Sequence, residues 1–285
     1  MIGPGAIGTT LAAWLAQAHE VTVCARSPVA VLRVEAPEGV IEASPRIITD
    51  PAEAEPVDWV IAATKAYDSP SCLAWLDRLA RDGGRVAVVQ NGVEHLSRFA
   101  GIVPPERLVP VIAYLPAERR GAGDVLQREN GRLVVPDDEA GRGFAALFAA
   151  TPIAVQPVGD WSTVAWRKLA LNAAGAVNAL TLLPARVAAG DAMGRTIRDL
   201  VGEVLAVGRA EGADLSDDLP EQILAHMRGE APDGVNSIHA DRLAGRPMEV
   251  DARNGIIVRT GERHGIATPL NRMVVALLSA MGDAR

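Results

Sequence analysis

The segment Gly3-Pro4-Gly5-Ala6-Ile7-Gly8 decides the fold of this chain. It has the spacing G-x-G-x-x-G and runs directly into Thr9 to Ala18, a stretch with an apolar stripe at helical spacing. In such a turn the first glycine permits a tight bend, the second lets the backbone approach a pyrophosphate, and the third lets the helix pack on a strand. The helix N-terminus adds N–H donors and a positive dipole. The segment therefore predicts a dinucleotide site formed by Gly3, Gly5, Ala6, Ile7 and Gly8.

A basic residue stands where the next strand ends. The strand Val21 to Ala25 follows the predicted helix at the expected distance, and Arg26 comes where an NAD enzyme would carry an acidic residue for the ribose hydroxyls. A guanidinium can bind a 2′-phosphate with two parallel hydrogen bonds. Arg26 therefore favours NADP(H), and the alternative is an ordinary surface arginine at a strand end.

The strand that should precede the glycines is reduced to Met1 and Ile2. In a doubly wound sheet that strand is central, so its loss would remove ladder partners on both sides. Because this strand is so short, we hypothesise that translation of the native protein starts several residues upstream of Met1.

Short apolar runs alternate with helical segments up to Val158, which is the pattern of a parallel α/β sheet. After these come strands separated by Gly, Pro and Asn turns, which suggest an antiparallel extension, then a helix and a closing strand. The buried runs are Glu20 to Cys24, Val57 to Ala63 and Arg85 to Val89; the later strands are Leu108 to Tyr114, Val125 to Arg128, Arg132 to Val135 and Ile153 to Val158, with the helix at Asp138 to Ala149.

At Gly159-Asp160 the sequence pattern changes from alternating strands and helices to helices. Asp160 can cap a helix that runs through Lys168 towards Leu183, where Pro184 stops it. Further helices are expected near 191–211, 218–228, 235–244, 249–265 and 270–281. We predict an α/β chain with a Rossmann-type domain over 1–158 and an all-helical domain over 159–285, with the ligand between the two halves.

Composition narrows the classes of partner. The 285 residues carry a net charge of -7, which argues against a nucleic-acid groove. Cys24 and Cys72 form no C-x-x-C pair, as expected of a reduced compartment. The sequence contains neither a long uncharged apolar span nor a secretion signal. We expect a soluble cytoplasmic protein that binds neither membranes nor nucleic acid, and dimerisation through the helical half stays open.

Lysine is rare in this chain, with only Lys65 and Lys168 among 28 basic residues. Lysine offers a compact ammonium whose pKa can shift and whose proton can be transferred, whereas arginine is a fixed charge. The alternative is an arginine-biased composition with two leftover lysines. The five histidines show no metal-ligand spacing, so we expect no metal and interpret them as surface or loop residues: His19, His95, His226, His239 and His264.

Further segments complete a family pattern. Two follow predicted strands and one opens the helical half: Ala63-Thr64-Lys65-Ala66-Tyr67-Asp68, Gln90-Asn91-Gly92-Val93-Glu94 and Trp166-Arg167-Lys168-Leu169-Ala170-Leu171-Asn172. Near the C-terminus come Ser237-Ile238, Glu249-Val250-Asp251, Gly255 and His264-Gly265-Ile266-Ala267-Thr268-Pro269. With the glycine segment, these resemble the NADPH-dependent ketopantoate reductase (2-dehydropantoate 2-reductase) family over nearly the whole chain.

The resemblance implies a role for each polar residue. Lys168 would protonate the ketone oxygen as hydride arrives, and Asn172, on the same helix face, would orient the substrate or the ammonium. Lys65 and Asn91 would contact the ribose and nicotinamide side of the cofactor. Other interpretations stay open, because Asn91-Gly92 is also an ordinary turn pair.

The substrate would be held by residues of the helical half. Glu249 would accept a hydrogen bond from the substrate hydroxyl, and Ser237 would donate one to its carboxylate. Helix surface and a helix cap are the alternatives for these two residues.

Two asparagines depart from the family pattern. One expected about eight residues after the lysine is Ala176 here, and Asn178 stands two positions later, beyond Gly175. On a regular helix Asn178 would point away from Lys168, so either a local bulge near Gly175 restores it or it is not a ligand. Another expected asparagine is replaced by Gly234, with Asn236 nearby.

The resemblance implies reduction of a 2-oxo acid, ketopantoate to pantoate, in pantothenate and coenzyme A biosynthesis. The departures leave open a related reductase of another 2-oxo acid or an imine. A non-catalytic NADP(H)-binding sensor is a further alternative, against which the retention of Lys168, Asn172, Ser237 and Glu249 speaks.

Overall fold

The structure, a computed structural model, describes residues 1–283 and separates into two compact units. The first unit contains Met1–Gln90 and Glu94–Trp161, and the second contains Asn91–Val93 and the chain from Ser162 onward. The short Asn91–Val93 segment therefore belongs to the second unit although strands of the first unit flank it in sequence. Among the described helices, none is long and apolar enough to cross a membrane.

The first unit alternates strands and helices, as the sequence predicted. Its strands are β1 (Thr22–Cys24), β2 (Leu32–Ala36), β3 (Gly39–Ala43), β4 (Arg46–Ile48), β5 (Trp59–Ala62), β6 (Arg85–Val89), β7 (Leu108–Tyr114), β8 (Ala117–Gly121), β9 (Asp124–Gln127), β10 (Arg132–Pro136) and β11 (Ala154–Val158). Its α-helices are α1 (Ala6–Leu15), α2 (Leu73–Leu79) and α3 (Glu139–Leu147).

The central sheet is formed by the buried apolar runs. Strands β5, β6 and β7 pair in parallel, β10 pairs antiparallel with β7, and β11 pairs in parallel with β10. Strands covered on both faces need continuous apolar sequence, and that is what these runs supply. The predicted antiparallel step is confirmed at β10.

Ile2 lies between β1 and β5 and joins them. It forms single parallel bridges with Cys24 and with Ala62, while β4 extends the sheet in parallel beyond β1. The Ile2 N–H donates to the Ile61 oxygen at 2.8 Å, and the Ala63 N–H donates to the Ile2 oxygen at 2.9 Å. The central position of the doubly wound sheet is thus occupied by one bridging residue.

A second sheet differs from the sequence prediction. Strands β3, β2, β9 and β8 form a separate four-stranded sheet in that order, with β9 parallel to β2. The prediction that the Val125–Arg128 strand extends the main sheet was therefore wrong, and β2, β3, β4 and β8 were not predicted. A buried hydrogen bond of 2.8 Å from Trp14 Nε1 to Gln127 Oε1 ties α1 to β9.

The second unit is helical and surrounds one apolar core. Its helices are α4 (Trp161–Ala174), α5 (Ala176–Thr181), α6 (Asp191–Ala210), α7 (Leu219–Gly229), α8 (Ser237–Leu243), α9 (Ile256–His264) and α10 (Pro269–Asp283). The core is rich in alanine along α4 and α5 and in leucine, isoleucine and valine along α6. The predicted all-helical character is confirmed.

The predicted helix from Asp160 towards Leu183 is broken at Gly175, so that prediction was wrong in its continuity. The Asn178 N–H donates to the Gly175 oxygen, three residues back, which tightens the turn between α4 and α5. Leu182 then ends α5 in the left-handed region with φ 58°.

The predicted helix over 249–265 contains a widened turn. Residues Asp251–Gly255 form a π-helical turn directly before α9. Four consecutive residues of that turn are buried, from Ala252 to Gly255, which a regular helix on a core surface would not achieve.

His239 lies in α8 and was wrongly predicted to be a surface or loop residue, whereas His95 lies in a turn after β6, as predicted. The side chains of His95 and His239 are both 1% exposed. His95 donates from Nε2 to the Gln90 backbone oxygen at 2.8 Å and packs edge-on against Trp161. Burial, together with the nearby Arg98 guanidinium, lowers the pKa of His95 to about 4.

We expect the buried His95 to make stability pH-dependent. The unfolded chain binds a proton near pH 6.5, whereas the folded chain resists protonation until about pH 4, so the free energy of unfolding should fall as the pH decreases through that window. The slope from one such group is at most about 1.4 kcal/mol per pH unit. Urea unfolding between pH 7 and pH 5 (about the range in which histidines titrate) should give a shallower slope for His95→Gln than for the wild type. Equal slopes would contradict the assignment.

Candidate active site

The glycine segment makes a tight turn before α1. Gly3 has φ 88°, and the Gly5 N–H donates to the Gly3 oxygen at 2.8 Å. A Cβ atom on Gly3 would lie 2.7 Å from the Thr64 side chain, and one on Gly8 would lie 2.1 Å from the Gly3 oxygen. Both positions are therefore restricted to glycine by close approach of neighbouring groups.

Gly5 has a different environment. A Cβ atom there would find nothing within 4 Å, so the backbone at the start of α1 faces open space. The first N–H groups of a helix, here those of Ala6, Ile7 and Gly8, have no acceptor within the helix. The turn therefore offers backbone donors and room for an anionic group, which fits a dinucleotide pyrophosphate.

Two basic residues follow strands at the same edge of the sheet. Arg26 follows β1 and Lys65 follows β5, and Ile2 bridges these two strands. The Arg26 side chain is 86% exposed, and its guanidinium lies 3.5 Å from the Asp68 carboxylate. Lys65 is partly buried and begins a 3-10 segment, Ala66–Cys72. Both predicted cofactor residues thus lie at the carboxyl edge, where α/β sheets bind ligands.

In the second unit, Asn91 connects two predicted site residues. Its Nδ2 donates to the Glu249 carboxylate at 2.8 Å, and its Oδ1 accepts from Asn172 Nδ2 at 3.2 Å. Gly92 follows with φ 99°, so this segment is also a turn, as the alternative interpretation held. We call the three side chains of Asn91, Asn172 and Glu249 the amide–carboxylate cluster.

Lys168 lies on α4, the helix that carries Asn172 of this cluster. Lys168 and Asn172 are four residues apart on α4 and hence on one face of the helix. Asn172 is buried, and Lys168 is half-buried. Glu249 is 4% exposed, so its carboxylate depends on hydrogen bonds and nearby positive charge.

Ser237 contacts an arginine that the sequence analysis missed. The Arg253 guanidinium donates to Ser237 Oγ at 2.6 Å. Arg253 is 2% exposed and lies in the π-helical turn, while Ser237 itself is exposed at the start of α8. The signal in the sequence was an arginine four residues after Glu249, a spacing that brings opposite charges together on a helix.

Asn178 is held by protein groups. It is 2% exposed, its Nδ2 donates to the Leu183 oxygen at 3.0 Å, and its Oδ1 accepts from Asn236 Nδ2 at 3.0 Å. Asn236 also donates to the Gly175 oxygen at 3.1 Å and caps α8. The break at Gly175 thus directs Asn178 into a bond with Asn236. Its role as a substrate ligand stays a prediction.

Within residues 1–283, no group of three or more His, Cys, Asp or Glu side chains is able to hold a metal ion.

These features define a class of protein: a Rossmann-type dinucleotide-binding fold joined to a helical unit that carries a lysine beside a partly buried amide–carboxylate cluster. Residues 1–139 match the family described as ketopantoate reductase PanE/ApbA, and residues 160–282 match the ketopantoate reductase PanE/ApbA C terminal family. The chain belongs to the ketopantoate reductase family and is an oxidoreductase, which confirms the resemblance and the fold class predicted from the sequence.

Curated relatives support this membership. A 2-dehydropantoate 2-reductase of Caulobacter vibrioides is 58% identical and spans 98% of this chain and 97% of its own length. A protein of the same name from Mycobacterium tuberculosis is 38% identical over 99% of this chain and 97% of its own length.

Solved structures share the fold. A PanE/ApbA family ketopantoate reductase from Ralstonia eutropha JMP134 has a TM-score of 0.90 at 32% identity and covers 99% of this chain and 98% of its own. The ternary structure of a D-mandelate dehydrogenase with NADH and anilino(oxo)acetate has the same TM-score of 0.90 at 22% identity, with 99% of this chain and 98% of its own covered. The second comparison concerns the fold alone.

We expect Gly8→Ala to destabilise the chain, because its Cβ would overlap the Gly3 oxygen. The expected loss is about 1–3 kcal/mol of unfolding free energy, which outweighs the higher helix propensity of alanine. Gly5→Ala is the matched control, since its Cβ enters open space. Thermal unfolding should lower the midpoint for Gly8→Ala alone; equal midpoints for the two variants would contradict the packing role of Gly8.

Proposed function

We propose that this chain catalyses the NADPH-dependent reduction of ketopantoate to pantoate, a step of pantothenate and coenzyme A biosynthesis. The amide–carboxylate cluster beside Lys168 is the observation that carries the proposal, because a ketone reductase needs a proton donor and fixed partners for a polar substrate. We assign cofactor binding to residues 1–158 and substrate binding to residues 159–285. A cytoplasmic location is part of the proposal.

The glycine segment would hold the cofactor pyrophosphate on the N–H groups of Ala6, Ile7 and Gly8. Arg26 would bind the 2′-phosphate, for which its exposed guanidinium is available. Lys65, at the same sheet edge, would contact the ribose. When bound, the cofactor supplies the hydride.

Lys168 would act as the general acid. Reduction of the ketone places negative charge on its oxygen, and an ammonium near that oxygen stabilises the charge and donates a proton to it. The product is then the neutral hydroxyl group of pantoate, and the Lys168 amine regains a proton from solvent. Asn172, one helical turn further along α4, would orient the substrate or the ammonium.

Glu249 and Ser237 would fix the substrate. The Glu249 carboxylate would accept a hydrogen bond from the substrate hydroxyl, and Ser237 would donate one to the substrate carboxylate. The bond from Asn91 to Glu249 supports a role for Asn91 in orienting that carboxylate, in addition to the proposed contact with the nicotinamide side of the cofactor.

A second candidate is a related reductase of another 2-oxo acid or an imine. The specific observation in its favour is the hydrogen bond between Asn178 and Asn236, which occupies two amides that could otherwise bind substrate. A non-catalytic NADP(H) sensor would not need the amide–carboxylate cluster beside Lys168.

The first experiment measures NADPH oxidation by the purified protein with ketopantoate, a panel of other 2-oxo acids and an imine. We expect Lys168→Ala to lower kcat by about 10²–10⁴-fold while leaving the Kd for NADPH nearly unchanged, because only the proton donor is lost. Arg167→Ala, an exposed neighbour on the same helix, is the matched control. Turnover on another acid alone would favour the second candidate, and full activity of Lys168→Ala would remove lysine from its role.

Arg26→Ala should weaken NADPH binding by about 10- to 100-fold, the loss expected for hydrogen bonds to a charged group. NADH lacks the 2′-phosphate, so its affinity should change little. Fluorescence titration with both cofactors measures the ratio, with the exposed Arg46→Ala as control. An equal loss for NADPH and NADH would contradict the 2′-phosphate assignment.

A further inference from the structure

Arg253 is a buried charge that the proposed reaction has not used. Its side chain is 2% exposed, although arginine is rarely buried without a specific partner. It lies in the π-helical turn Asp251–Gly255, and π turns are frequently found at functional sites. The widened turn is what brings Arg253 inward together with its buried neighbours.

The contacts of Arg253 lead to the proposed substrate residues. Its guanidinium donates to Ser237 Oγ at 2.6 Å and approaches the backbone oxygen of Asn172 at 3.5 Å. Burial lowers the pKa of this guanidinium, whereas the nearby carboxylates of Glu249 and Asp241 raise it. Arg253 thus carries positive charge next to Ser237, Asn172 and Glu249 of the candidate site. All of these residues belong to the second unit.

The direction of the hydrogen bond to Ser237 has a chemical consequence. A guanidinium has only donors, so in this pair the hydroxyl oxygen of Ser237 is the acceptor. The bond to Arg253 does not use the hydroxyl proton of Ser237, so the hydroxyl can still donate to another acceptor. A serine held in this way is a fixed donor, and the adjacent charge makes an anionic acceptor favourable.

The nearby asparagines do not supply a comparable donor for a substrate carboxylate. Asn178 and Asn236 bond to each other and to the backbone oxygens of Leu183 and Gly175. Asn236 also accepts from the His239 N–H. Their amides are therefore engaged in holding the α4–α5 break and the start of α8, and the positive charge near Ser237 comes from Arg253.

We propose that Arg253 is a positioning residue for the carboxylate of the 2-oxo acid: it fixes Ser237 as a hydrogen-bond donor and supplies the positive charge behind it. The inference rests on the proposed function for the identity of the acid. It adds a residue that determines the preference for an anionic substrate over a neutral one of the same shape.

The test compares binding of pantoate with binding of its uncharged primary amide, measured by calorimetry with NADP⁺ present. The proteins are the wild type, Arg253→Met, Ser237→Ala and the double variant. We expect Arg253→Met to weaken pantoate binding by about 10- to 100-fold, as for a lost charge-assisted hydrogen bond, and to change amide binding little. In the Ser237→Ala background the further effect of Arg253→Met on pantoate should be smaller, because residues that act through one another are not additive.

Removal of a buried charge can destabilise the chain, since Glu249 loses a nearby positive charge. Asp241 keeps its ion pair with Arg246. Arg253→Lys retains the charge without the planar fork, and we expect it to restore part of the preference for pantoate over the amide. If Arg253→Met does not fold, Arg253→Lys and Ser237→Ala carry the comparison, and urea unfolding of each variant reports its stability.

The outcomes separate this inference from the proposed function. A parallel loss for pantoate and the amide, or an effect of Arg253→Met that is undiminished in the Ser237→Ala background, would overturn the role of Arg253 while wild-type turnover stands. A wild type without reductase activity that still binds pantoate in an Arg253-dependent way would remove the proposed reaction and support the inference. A wild type that does not bind pantoate would overturn it.

Discussion

The backbone hydrogen bonds of Met1 to Gly3 are the constraint on which the first unit depends. Ile2 bridges β1 and β5, the Cys24 N–H donates to the Met1 oxygen, and the Gly3 N–H donates to the Cys24 oxygen. Because these bonds hold β1 and β5 on either side of one residue, the loops that follow the two strands emerge at one edge. The glycine turn, Arg26 and Lys65 share that edge for this reason, and a dinucleotide site needs a turn, a helix N-terminus and basic side chains together.

In the second unit the governing constraint is the burial of charge. A carboxylate removed from water is unfavourable unless hydrogen bonds and opposite charge compensate it. The Glu249 carboxylate accepts a hydrogen bond from the Asn91 amide and lies near the Arg253 guanidinium. The Asn172 amide in turn donates a hydrogen bond to Asn91. The Asn91 side chain completes this arrangement. The Asn91–Val93 turn belongs to the second unit, although β6 and the sequence around it belong to the first unit.

The sequence predicted the elements whose signal is a long apolar run or a regular helical period. Strands β5, β6 and β7 and the helices of the second unit were predictable for that reason. Strands β2 and β3 were missed because their charged residues alternate with apolar ones around Pro37, in runs too short to stand out. The break at Gly175 is set by tertiary contacts, since a Cβ there would lie 2.9 Å from Asn236, which comes 61 residues later.

In the candidate site, the sequence indicates which residues take part but not which groups they contact. Lys168, Asn172, Ser237 and Glu249 could be chosen from their order in the sequence, but hydrogen bonds between distant segments decide what each side chain does. Arg253 illustrates this limit: a helical period places it four residues from Glu249, yet only the π-helical turn explains its burial and its bond to Ser237. A widened turn follows from packing around buried polar groups, and one sequence carries little local signal for it. The polar interior of the second unit is thus a property of the assembled helices, whereas their apolar faces are a property of the sequence.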